Sequence, residues 1–115
     1  MDEPKILTLR NEGECKCIDL ADLIYVCVED YLSTFHYAKD HKFACTKSLL
    51  EVESILPDNF FRINRNLIVN TTYINKIHYR NRTIILSNSK LFIVSCRRIK
   101  QLQIALSRIN VALKG

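Results

Sequence analysis

Hydrophobic and polar positions change their period along this chain. Residues 6–45 fall into short apolar or alternating runs set off by polar turns. Ile6 to Leu9 alternates weakly, Asn11-Glu12-Gly13-Glu14 is a turn signal, and Cys15 to Asp19 alternates again, so the pair predicts a hairpin. Leu23 to Val28 is continuously apolar, the mark of a strand buried on both faces. Tyr31 to Tyr37 is rich in β-formers, Ala38 to His41 is a turn, and Lys42 to Cys45 returns as a short strand. The period then lengthens. Ser48-Leu49-Leu50-Glu51 is a capping box, and Leu49, Val52, Ile55 and Leu56 make one face of a short helix ended by Pro57-Asp58. Strands are expected at Phe60 to Ile63, Ile74 to Tyr79, Thr83 to Ser87 and Leu91 to Val94. Arg65 to Thr72 is apolar in the middle and bounded by Asn, and reads as a short turn or helical loop. Arg80-Asn81-Arg82 reads as a polar turn exposing two cations. Ser95 is expected to cap a last helix with Ile99, Leu102, Leu106, Ile109 and Leu113 as its apolar stripe, opposite Arg98, Lys100, Gln101, Gln103 and Arg108.

Charge adds what periodicity cannot. All twelve Asp and Glu lie at or before Asp58, where six Lys and Arg leave a net −6; residues 59–115 hold eleven Lys and Arg and no carboxylate, a net +11. A segment so segregated is expected to meet a polyanion. The two halves are nonetheless read as one fold over residues 1–115, because neither alone has enough apolar strand to close a core. No run approaches the roughly 18–20 apolar residues of a membrane span. The start, Met-Asp-Glu-Pro-Lys, lacks the basic and apolar stretches of a signal peptide. A cytoplasmic chain without a membrane partner is the expectation.

Little in the sequence suggests catalysis. Residues 59–115 offer no carboxylate to orient a His, and there is no nucleophile elbow, phosphate-binding Gly loop or HExxH. His78 lies in an expected strand and reads as structural. Cys45 with His36 or His41 could be drawn as a dyad, but nothing supplies a third group. The five cysteines (15, 17, 27, 45 and 96) read as reduced thiols acting as small hydrophobes. Zinc on Cys15-x-Cys17 with His36 or His41 is the sharper alternative, but no CxxC spacing exists. Cys96 beside Arg97 and Arg98 has the surroundings of a redox-responsive thiol. No enzyme, metal or cofactor is expected.

Cations and amides concentrate in Phe60 to Asn70 and in Val94 to Lys100. Asn and Arg side chains match base edges in the major groove, while Lys, Ser and backbone N–H groups suit phosphates. Ser95 at a helix start would add free N–H groups for an anion. The bland alternative is a solvated surface; fifty-seven residues without a compensating carboxylate favour nucleic acid.

Phe61-Arg62-Ile63-Asn64-Arg65-Asn66-Leu67-Ile68-Val69-Asn70-x-x-Tyr73-Ile74, then a hairpin, then Val94-Ser95-Cys96-Arg97-Arg98, resembles the LytTR family of bacterial DNA-binding domains. Ile24-Tyr25-Val26-x-x-Glu29-Asp30-Tyr31-Leu32 and Ser48 to Glu53 match its first strand–turn–strand and its short helix. The resemblance covers about residues 5–110. It implies a mainly β fold, an elongated sandwich of small antiparallel sheets with two short helices, whose loops enter successive major grooves. It implies a transcriptional regulator of two-component type acting on double-stranded promoter DNA with repeated half-sites, and no receiver or sensor domain is present in these residues. The matching base-contact positions are Asn64, Arg65, Arg97 and Tyr31; the phosphate contacts are Asn66, Arg98, Lys100 and Arg62. Asp30 matches too but has the wrong sign for DNA. Three residues depart from the family pattern: Asn64 stands where His is usual, Asn66 where Ser is frequent, and Cys96 where Arg is common. The competing class is a protein-interaction module of the same fold, its basic half docking an acidic partner or a second copy, so self-association on DNA stays open.

Overall fold

The computed structural model describes residues 5–109. In chain order they form Ile6–Asn11 (β1), Glu14–Asp19 (β2), Leu23–Glu29 (β3), Leu32–Tyr37 (β4), His41–Thr46 (β5), Leu49–Ile55 (α1), Phe60–Asn64 (β6), Leu67–Asn70 (β7), Ile74–His78 (β8), Thr83–Leu86 (β9), Leu91–Ile93 (β10) and Ile99–Ile109 (α2). Short 3-10 turns at Leu20–Asp22 and Thr71–Tyr73 lead into β3 and β8. Every strand pairing is antiparallel.

Three sheets follow from the apolar pattern. β1 and β2 close a two-residue hairpin in which Asn11 faces Glu14. Glu12 and Gly13 both take positive φ there (48° and 84°), the geometry that matches strand twist and that favours Gly. A five-stranded sheet runs β5-β4-β3-β7-β6, and a smaller one runs β10-β9-β8. β3 occupies the centre, as its unbroken apolar run requires. Leu23, Val26 and Val28 face one core with Leu9, Ile18 and Phe35, roofed by the β1–β2 hairpin and by Leu49 and Val52 of α1. Ile24 and Tyr25 face the other, with Ile63, Val69, Ile84, Leu86 and Leu102 from β6, β7, β9 and α2. A register shift between Leu23 and Tyr25 lets the adjacent Ile24 and Tyr25 share a face. The result is the expected mainly β, elongated stack, 49 × 35 × 24 Å. The charge division is not a structural division: β3 of the acidic half pairs with β7 of the basic half.

Four expectations change. Arg65–Thr72 is a turn, a strand and a 3-10 turn, not a helical loop. β7 has only three apolar residues, too few to show a period, yet all four of its residues are buried because β3 and β6 flank it. In α1 the capping box forms as read, with Glu51 N–H donating to Ser48 Oγ at 3.2 Å and Ser48 N–H donating to Glu51 Oε1 at 2.8 Å. Ile55, however, is exposed, and Leu56 is already extended, as a residue before proline prefers. Ser95 does not begin α2. Its carbonyl accepts from the N–H groups of Arg98 and Ile99 at 3.0 and 3.2 Å, so a turn of Cys96 to Arg98 precedes the helix and those two donors are occupied. Ile99, Leu102 and Leu106 form the inward stripe, while Leu113 lies outside the described residues. Finally, only Arg80 of the β8–β9 turn is a freely exposed cation. Arg82 is half-buried, with Nη1 donating to the Val94 carbonyl at 2.9 Å.

Candidate nucleic-acid interface

Antiparallel pairing brings three turns to one end of the molecule. The β3–β4 turn is Asp30-Tyr31, with Glu29 facing Leu32 and Asp30 at φ 57°. The β6–β7 turn is Arg65-Asn66. The backbone joins them directly, because Val28 N–H donates to the Asn66 carbonyl at 2.9 Å. Val28, Glu29, Asp30, Arg65 and Asn66 line one shallow concavity. The third turn, Ser95 to Arg98, reaches the same end because Ser95 N–H donates to the Ile63 carbonyl at 2.9 Å, tying the exit of β10 to β6. Arg62, Asn64, Arg65, Ser95, Arg97, Arg98 and Gln101 then surround a second open concavity of about 720 Å³.

Within this end the side chains differ in freedom. Tyr31 is 77% exposed, and Arg65, Asn66, Arg97 and Lys100 are also exposed. Arg98 is half-buried. Arg62 is half-buried, donates from Nε to the Asn64 carbonyl at 3.3 Å and lies 3.7 Å from Glu53. That is the one ion pair among the described residues, so Arg65, Arg97, Arg98 and Lys100 have no carboxylate partner among them. Asn64 is engaged at both ends of its amide. Oδ1 accepts from Asn66 N–H at 2.9 Å and Nδ2 donates to the Ile93 carbonyl at 3.0 Å.

The remaining candidates are dispersed. Among the described residues no group of three or more His, Cys, Asp or Glu is gathered as for a metal ion. Cys15 and Cys17 are exposed on β2, and Cys45 is buried in the first core, where burial pushes its thiol up. His36 lies instead against Cys27, with Nε2 3.8 Å from Sγ, and stacks on Tyr25 at 4.2 Å between ring centres. Burial, then Lys42 and Lys90, hold the His36 imidazole below its ordinary value. His78 is exposed at the end of β8. No helix of the described residues is long and apolar enough to cross a membrane.

A protein-family model, the LytTr DNA-binding domain, matches residues 13–107, which takes in every turn of this end. The chain belongs to the LytTr DNA-binding domain family. The family is one of DNA-binding domains. The sensory transduction protein LytT of Bacillus subtilis (strain 168) is 38% identical to it over 64 residues, 52% of this chain. The match spans a quarter of that relative's length. A solved LytTr DNA-binding domain from Bacillus cereus superposes with a TM-score of 0.76 over 90% of this chain and 98% of its own, at 23% identity, a likeness of fold.

The sequence concealed the ties between turns in this LytTr domain. The Asn64–Ile93, Arg82–Val94 and Val28–Asn66 bonds join residues 12 to 38 positions apart, and no local pattern announces them. The one usable signal was Asn64 two residues before Asn66, the spacing of an Asn side chain that closes its own turn.

Proposed function

We propose that this LytTr domain binds double-stranded promoter DNA by presenting its three turns to successive major grooves. The observation that carries the reading is the convergence, at one end, of exposed cations that have no carboxylate partner among the described residues. Arg65 and Arg97 project from turns rather than from strand interiors, so each can enter a groove and meet a guanine edge with two donors. Tyr31, at the tip of the neighbouring turn, supplies a ring for base contact. Lys100, Asn66 and Arg98 flank these as phosphate contacts, with Arg62 behind them. Repeated half-sites bound by successive copies belong to the same reading. Since the Bacillus subtilis relative is named a sensory transduction protein, the setting we infer is a bacterial, cytoplasmic regulator of two-component type.

The test begins with a site selected from a random duplex pool and a scrambled control, followed by fluorescence anisotropy. With about 5–8 phosphate contacts, log K should fall against log salt with a slope of about −4 to −7. Arg65→Ala and Arg97→Ala should each lose about 1–3 kcal/mol of discrimination between the two duplexes. Lys100→Ala should weaken both duplexes equally and reduce the slope by about one. A slope near zero for the wild-type chain sinks the reading. Equal loss on both duplexes for the arginine variants reassigns them to phosphates.

A further inference from the structure

We propose that Asn64 and Arg82 are positioning residues that hold the three DNA-facing turns in one frame, and that neither touches DNA in the bound complex. The inference rests on the DNA-binding reading above. β6 belongs to the five-stranded sheet and β10 to the three-stranded one, and no ladder of strand bonds joins them. What joins them near the turns is a small set of individual bonds. Asn64 supplies two. Its Oδ1 closes the Arg65-Asn66 turn on Asn66 N–H, and its Nδ2 reaches across to the Ile93 carbonyl 29 residues away. The Asn66 carbonyl passes the link to the β3–β4 turn through Val28 N–H.

Arg82 holds the next segment. Its Nη1 donates to the Val94 carbonyl at 2.9 Å, and its own carbonyl accepts from Val94 N–H at 2.8 Å. Val94 is the residue before Ser95, so this clamp fixes the entry to the Arg97 turn. Arg82 sits at φ 53°, a left-handed conformation that a non-glycine residue occupies at a cost, and the reciprocal pair of bonds offsets it.

The chemistry argues against direct contact. Bidentate reading of adenine needs an amide oxygen and nitrogen side by side on the base edge. Both ends of the Asn64 amide are turned to the protein, and freeing them would release the turn that carries Arg65. The Arg82 guanidinium is half-buried against a carbonyl rather than displayed.

A reader and a positioning residue respond differently to the same changes. Asn64→Ala should lower affinity for the selected site by about five- to tenfold, the value of one or two lost hydrogen bonds. The loss should spread over every base pair that Arg65 and Arg97 read, and should be non-additive with Arg65→Ala and Arg97→Ala. In the free protein, hydrogen exchange at Asn66 N–H should quicken. Arg82→Gln keeps an N–H donor for Val94 without the charge, so it should bind as wild type with an unchanged salt slope, whereas Arg82→Ala should lose affinity for the selected site. Circular dichroism establishes that each variant folds, and Asn64→Ser, which keeps an acceptor for Asn66 N–H, should recover part of the loss. Relaxed preference at a single base pair, additive with the arginine variants, would make Asn64 a reader and overturn its part of the proposal. A salt slope reduced by about one unit in Arg82→Gln would make Arg82 a phosphate contact and overturn the other. If the wild-type chain binds no duplex, the DNA reading itself fails and takes this inference with it.

Discussion

Asn70 is 2% exposed, and both ends of its amide are engaged. Nδ2 donates to the Leu23 carbonyl at 2.9 Å, and Oδ1 accepts from Asn59 Nδ2 and from Thr72 N–H, each at 3.0 Å. It thereby ties the exit of β7 to the entry of β3 and starts the 3-10 turn that leads into β8. Asn70→Ala would leave the buried Leu23 carbonyl without its partner and remove the cap. We expect a loss of about 2–3 kcal/mol in urea denaturation, and a loss below about 0.5 kcal/mol would show the network is not needed. In the sequence Asn64, Asn66 and Asn70 look alike: three asparagines within seven residues of one basic motif. One is buried and structural, one is exposed, and one is turned inward at the site. Residue type announced polar chemistry there; the three roles depend on neighbours that are distant in the chain.

Adjacent strands set the environment of a titrating group, His36. Tyr25 of β3 faces His36 of β4 in register, and Cys27, two residues along, is the diagonal neighbour that contacts the same imidazole. Phe92 of β10 closes on Tyr25 edge-on at 4.9 Å, so the cluster also spans two sheets. Because the folded-state value of His36 is lowered, mainly by burial, the unfolded chain binds more protons there. The stability it contributes is full above the unfolded value near 6.5 and is lost as pH falls through the lower folded value. Thermal melts between about pH 7.5 and 5 should show this decline, and His36→Phe should flatten it. An unchanged slope in that variant would trace the decline to other groups. At this scale the two-residue hairpin of β1–β2, the capping box of α1 and the stripe of α2 were legible because each is a local pattern. β7 was not, since its burial comes from strands on either side rather than from its own period.

At the scale of the molecule, segregated charge becomes a directed field only where the fold gathers it. The acidic half is not remote from the interface. It contributes Glu29, at the end of β3, and Asp30, in the following turn, to the same concavity as Arg65 and Asn66. In the proposed complex Asp30 would therefore oppose phosphates at the edge of the site. Asp30→Asn should raise affinity for selected and scrambled duplexes alike, on the order of two- to fivefold at low salt and less at high salt. Asn tolerates the left-handed backbone there, so the turn should persist. A gain confined to the selected duplex would instead mark position 30 as a base contact.

The sequence by itself determined the class of the protein: short strands, two helices, a carboxylate-free basic half and the motif residues that match LytTr domains. These are local properties, set by period, capping and composition, and they survive without coordinates. The tertiary structure alone decided which turns meet, that Arg82 faces inward while Arg80 does not, that Ser95 precedes α2 instead of capping it, and that Asn64 binds two segments of its own chain. Each of these rests on hydrogen bonds formed only after antiparallel pairing brings separate turns to the same end of the stack. Such pairings depend on the packing of whole sheets, and no short window of residues contains them.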